Sequence, residues 1–143
     1  KFASSTNASG DSTETIAHTL AVSTNAPSGY AITVRGQTLT SQQNGANTID
    51  ATGGTAVSSS AGTEQFGIRA SASGGTGSTI DATFSGGSTY GYDATATTSV
   101  SFASGSGATN TTTYSLHYLA NIAGTTEAGT YAASLVYVAT ASF

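Results

Sequence analysis

The sequence predicts an all-β protein: a single antiparallel β-sandwich, Ig-like or jelly-roll-like, with long Gly/Ser/Thr-rich loops. Several segments alternate apolar and polar residues with a period of two, and clusters of Gly, Ser and Asn separate them. No segment carries the 3.6-residue apolar period of an amphipathic helix. At 143 residues the chain has the length of one domain.

Residues 1–13 are polar apart from Phe2 and scattered alanines, and read as an N-terminal arm and candidate donor strand, leaving 14–143 as the sandwich. The run TETIAHTLAVST then places Ile16, His18, Leu20 and Val22 on one face. After NAPSG, which holds the only proline, YAITVRGQTL sets Tyr30, Ile32 and Val34 on one face; the two runs are expected to form a hairpin. From Thr40 to Gly62 the chain is mostly Gln, Asn, Gly, Ser and Thr, and predicts a long loop with short strand fragments and little core.

Phe66 and Ile68 form the next inward pair, followed by a glycine-rich excursion bearing Ile80, Phe84, Tyr90 and Tyr92. Val100 and Phe102, then Tyr114, Leu116 and Tyr118, mark two further strands. In the closing run GTYAASLVYVATASF, Tyr131, Ala133, Leu135 and Tyr137 share one face and Val136 and Val138 the other. Apolar residues on both faces predict a strand that is internal or covered by a partner.

Composition narrows the function classes. Only Lys1, Arg35 and Arg69 are basic and the net charge is -4, so neither nucleic acid nor an anionic membrane has an electrostatic reason to bind. No apolar run reaches the length of a membrane span, and no basic-then-apolar leader opens the sequence, so an export signal is expected to have been removed. Ser and Thr fill about a third of the chain, an unusually high share. Cys, Met and Trp are absent. A hydroxyl-rich exterior without easily oxidised side chains points to an extracellular, cell-surface location.

Sites of chemistry are few. His18 and His117 lie on strand faces with apolar neighbours and suit structural roles better than a metal pair, because zinc would require a third ligand. Asp11, Glu14, Asp50, Glu64, Asp81, Asp93 and Glu127 are scattered without the spacing of a calcium loop, and are expected to be solvated carboxylates. No G-x-S-x-G elbow occurs, and the glycine-rich GTGS lacks the lysine of a phosphate loop. No enzyme activity and no cofactor are expected. Asn7 and Asn110 satisfy N-x-[ST] and are candidate glycosylation acceptors, as are the hydroxyls of Thr111–Thr113. The seven tyrosines are expected mainly in the core, with a sugar-binding or partner surface as the alternative.

At EQFGIRAS, and more so at NIAGTTEAGTYAASLVYVATASF, the chain resembles a group of uncharacterised secreted bacterial surface proteins that share a TNAPSGYAITV-like hairpin, an EQFG strand and a GTY strand closing on ATA-F. The likeness spans residues 14–143, and the ending also resembles the last strand of WxL-type wall-associated domains, without the W-x-L triplet. It implies a cell-surface β-sandwich with no catalytic residues. It also implies more chain ahead of the hairpin than is present, so Lys1 is expected to be a processed end.

These features predict a structural subunit of an extracellular, pilus-like filament or surface layer, assembled from identical copies by β-strand complementation. Lys1, Phe2, Ala3, Ser4, Ser5 and Thr6 are the candidate interface, burial of Phe2 being worth about 25 cal/mol per Å². The strand Tyr131 to Phe143 is the alternative donor. An adhesin or carbohydrate-binding module, contacting surface glycans or neighbouring cells, is the second expectation. An ice- or surface-binding role for Thr arrays such as TNTTTY is the third, though no regular repeat supports it.

Overall fold

The computed structural model describes residues 2–3 and 14–143. Twelve strands follow in order: β1 (Phe2–Ala3), β2 (His18–Thr24), β3 (Tyr30–Gly36), β4 (Thr40–Ser41), β5 (Gly53–Ser58), β6 (Gln65–Gly74), β7 (Ser78–Ile80), β8 (Thr89–Tyr92), β9 (Val100–Gly105), β10 (Thr109–Asn121), β11 (Tyr131–Ala132) and β12 (Leu135–Ala141). Among the described residues there is no helix. The all-β, sandwich-like architecture expected from the alternation is what the chain adopts.

One sheet has six strands. From β10 it runs through β6 and β8 to β5, while β1 and β2 share the other margin of β10. The second sheet has four strands in the order β12-β3-β9-β7, and β4 and β11 form a small separate pair. Pairing is antiparallel throughout, except where β1 runs parallel to β10 and at an isolated parallel bridge between Ala51 and Phe66.

The core forms where the inward faces meet. Tyr30, Ile32 and Val34 of β3 and Phe102 of β9 face Phe66, Ile68 and Ala70 of β6 and Tyr114 and Leu116 of β10. Phe102 contacts three rings, with centroids 5.2 Å from Phe84, 5.4 Å from Tyr137 and 6.1 Å from Tyr114, the tilted and edge-on arrangements that ring quadrupoles favour. The phenols of Tyr30 and Tyr114 meet at 2.6 Å inside this layer, so two buried hydroxyls satisfy one another.

Two expectations are corrected. The runs around TNAPSG do not make a hairpin: β2 pairs with β10 in one sheet and β3 with β12 and β9 in the other. The intervening residues cross between sheets, because Ala26 is fully buried at the corner and its N–H is bonded to Thr24 Oγ1 at 3.0 Å. Gly29 completes the corner at φ 82°, where a Cβ would fall 1.8 Å from the Gly105 carbonyl oxygen. Alternation reports that each run is a strand, but not which strand it pairs with. The polar stretch after Thr40 also contributes more than expected, since Ile49 is buried within the core.

Candidate subunit interface

Along one margin of β10 two strands lie end to end. β2 pairs antiparallel with Thr109 to Leu116, with a register shift between Thr109 and Thr112. Beyond it, Phe2 pairs with Ala120 and Ala3 with Asn121, in parallel. Of the residues expected at the interface, the backbones of Phe2 and Ala3 therefore lie against this chain's own β10. Lys1, Ser4, Ser5, Thr6 and the candidate acceptor Asn7 fall outside the described residues. Asn121, beside this pairing, is fully buried, and its Nδ2 donates to Ser59 Oγ at 3.0 Å, Ser60 O at 3.2 Å and Gln65 Oε1 at 2.8 Å.

Glu14, the first described residue after the arm, was expected to be solvated and is instead anchored. Its carboxylate accepts from Arg69 Nε at 2.9 Å, from Arg69 Nη2 and from the Tyr90 hydroxyl, and His117 Nδ1 lies 3.6 Å away. His117 and Arg69 are direct cross-strand neighbours in β10 and β6, on the outer face of the six-stranded sheet. Burial alone would raise the Glu14 pKa, but the hydrogen bonds from Arg69 and Tyr90 and the charge of Arg69 outweigh it and hold the carboxyl below its ordinary range. The Arg69 pKa is raised, chiefly by its hydrogen bond to Glu14. Burial, reinforced by donation to Glu14, pushes the Tyr90 phenol up to about 12. His117 is only 8% exposed, and its Nδ1 has no hydrogen-bond partner.

Acidic spacing in the sequence carried no sign of this cluster. Its members come from four separate segments, and the one available hint was that a chain with two arginines in its body must place both.

A third feature is the seam where the two sheets part. β2 and β12 are both marginal strands, and between them runs a groove of about 270 Å³ lined by Thr19, Leu20, Ala21, Val22, Ile32, Tyr137 and Ala139. At one end His18 Nε2 meets the Tyr118 hydroxyl at 2.8 Å, and Tyr118 meets the Tyr137 hydroxyl at 3.1 Å. Burial raises the pKa of both phenols, so Tyr118 and Tyr137 keep their protons at neutral pH. Val136 and Val138, on the opposite face of β12, are 42% and 45% exposed. The closing strand is thus a margin in the single chain.

The tyrosines offer no flat platform. Tyr30, Tyr90, Tyr92 and Tyr114 are buried, and Tyr118, Tyr131 and Tyr137 are half-buried. Asn110 is exposed at the register shift in β10, while Thr112, the third residue of its motif, is fully buried and its hydroxyl lacks a hydrogen-bond partner. Among the described residues no three His, Cys, Asp or Glu side chains come together as a metal site, and no helix is long and apolar enough to cross a membrane. No family model, curated protein or solved structure matches the chain.

Proposed function

We propose that the chain is a structural subunit of an extracellular filament or surface layer, joined to identical copies by β-strand complementation. The observation that carries this is the two-residue pairing of Phe2–Ala3 on the margin of β10 that β2 leaves uncovered. An arm that already adds to a sheet by main-chain bonds makes equivalent bonds when the margin belongs to another copy. Exchange of an identical element between copies has a low thermodynamic cost, and a head-to-tail exchange that does not close generates a filament. Among the described residues of the arm the pairing spans two residues, and a short pairing exchanges readily.

The closing strand is less suited to donate. β12 pairs with β3 through seven residues, and Ser142 extends the contact by donating to Gly29 O at 2.9 Å and accepting from Ser28 N at 3.1 Å. The arm is therefore the donor in this reading. Surface location is supported by the Ser/Thr-rich composition and the absence of Cys and Met.

Ala3→Pro tests the proposal. Proline cannot donate a ladder hydrogen bond and stiffens the arm, so polymers of the intact chain seen by negative-stain microscopy and light scattering should give way to discrete particles. Polymers that survive Ala3→Pro, or an intact chain that never polymerises at any concentration, would refute it.

A second reading, a carbohydrate-binding module, has one observation in its favour. A cleft of about 490 Å³ beside β12 is lined by Arg35, Gln37, Thr38, Thr40 and Gln42, polar groups of the kind that hold sugars. Monomeric protein that binds a glycan array, with binding lost in Arg35→Ala, is the result that would select it.

A further inference from the structure

The outer margin of β12 has no strand partner among the described residues. From Leu135 to Ala141 it contains no charge and no proline, and it pairs with β3 in continuous register without a bulge. Folded proteins normally protect such margins with lysine, proline, bulges or a covering loop, because a regular row of free N–H and C=O groups recruits any extended chain. Among the described residues β12 carries no lysine, no proline, no bulge and no further strand. The margin is also apolar on both faces, with Tyr137 and Ala139 lining the groove toward β2 and Val136 and Val138 exposed on the other side.

We propose that two copies of the chain pair β12 with β12 in antiparallel fashion about a two-fold axis, doubling the four-stranded sheet into one continuous sheet. Self-complementarity identifies the occupant. In the register centred on Tyr137, Val136 of each copy lies opposite Val138 of the other, so each exposed valine covers its counterpart. The strand carries no charge, so identical copies do not repel along it. An axis perpendicular to the sheet keeps both inward faces on the same side, and the groove rim at Leu20 and Val22 of one copy then approaches that of the other. This contact is isologous and closes at two copies. It is separate from the head-to-tail exchange of the arm and does not rest on it.

The chain contains no cysteine, which makes the test direct. Val136→Cys and Val138→Cys chains are oxidised gently, singly and as an equal mixture, with Thr33→Cys on the neighbouring strand as the control. A disulfide needs Cα atoms within about 7 Å, so the mixture should give disulfide dimers well ahead of the control. Rapid dimers from Val138→Cys alone would support the same pairing shifted by one residue pair.

In the chain without cysteine, Val138→Lys should weaken the dimer by about tenfold or more in sedimentation equilibrium, with an unchanged circular dichroism spectrum. Ala3→Pro should leave crosslinking unaltered; loss of crosslinking in that variant would mean that the arm holds the contact, and would overturn the proposal. The proposal also fails if no valine position oxidises faster than Thr33→Cys, or if the chain is monomeric at all concentrations.

Discussion

On the outer face of the six-stranded sheet, Tyr90, Arg69, His117 and Leu119 are largely withdrawn from water; on the outer face of the four-stranded sheet, Val136 and Val138 stand in it. Both faces come from alternating strands, so the contrast does not lie in local pattern. The first is a second layer, built where Gly67 lets Tyr90 approach so closely that a Cβ would lie 2.8 Å from the Tyr90 Cβ, and where Glu14 unites three polar groups. The second has Thr33 and Arg35 of β3 opposite Val138 and Val136, and both valines stand exposed. A buried polar face is completed from within the molecule. On the proposed pairing of β12 with β12, the exposed apolar one is completed by a second copy.

Leu119→Ala attacks this contrast most strongly. Leu119 is fully buried on the six-stranded sheet's outer face, so truncation should cost about 3 kcal/mol in urea unfolding, as for an interior leucine. A loss below about 0.5 kcal/mol, the usual size for surface positions, would make that layer no more than a surface.

Glu14→Gln should follow, at roughly 2 kcal/mol near neutral pH, because the hydrogen bonds from Arg69 and Tyr90 lose their charged acceptor. Its pH dependence has a definite sign. The native carboxyl titrates below its ordinary value of 4.5, so the anion's contribution is complete above that value and disappears as the pH falls through the lowered native value. The stability gap between wild type and Glu14→Gln should therefore close in acid. A gap independent of pH would show that the charge of Glu14 is not what anchors it.

Val138→Thr is expected to be the mildest, within about 0.5 kcal/mol of wild type in the dilute monomer, since the side chain is already exposed there. The same substitution should weaken self-association. Equal effects on monomer stability and on association would blur the distinction between the two faces.

Strand positions in the core were legible because inward residues recur every second position: Tyr30, Ile32 and Val34 on β3, and Tyr114 and Leu116 on β10, are all buried as the alternation predicts. The two-sided apolar character of the closing run was equally plain. The sandwich class followed from these runs and the glycine-rich breaks between them.

Pairing was not legible. The sequence around TNAPSG suits a hairpin or a crossing between sheets, and the burial of Ala26 against the rest of the molecule selects the crossing. Nor was the Glu14 cluster, whose partners at positions 69, 90 and 117 meet only when β6, β8 and β10 lie side by side. By itself the sequence determined the period, the apolar faces and the near absence of charge, because these depend on each residue and its neighbours along the chain. Tertiary structure alone decided which margins stay open and which distant polar groups meet, because both depend on the order in which strands assemble across space.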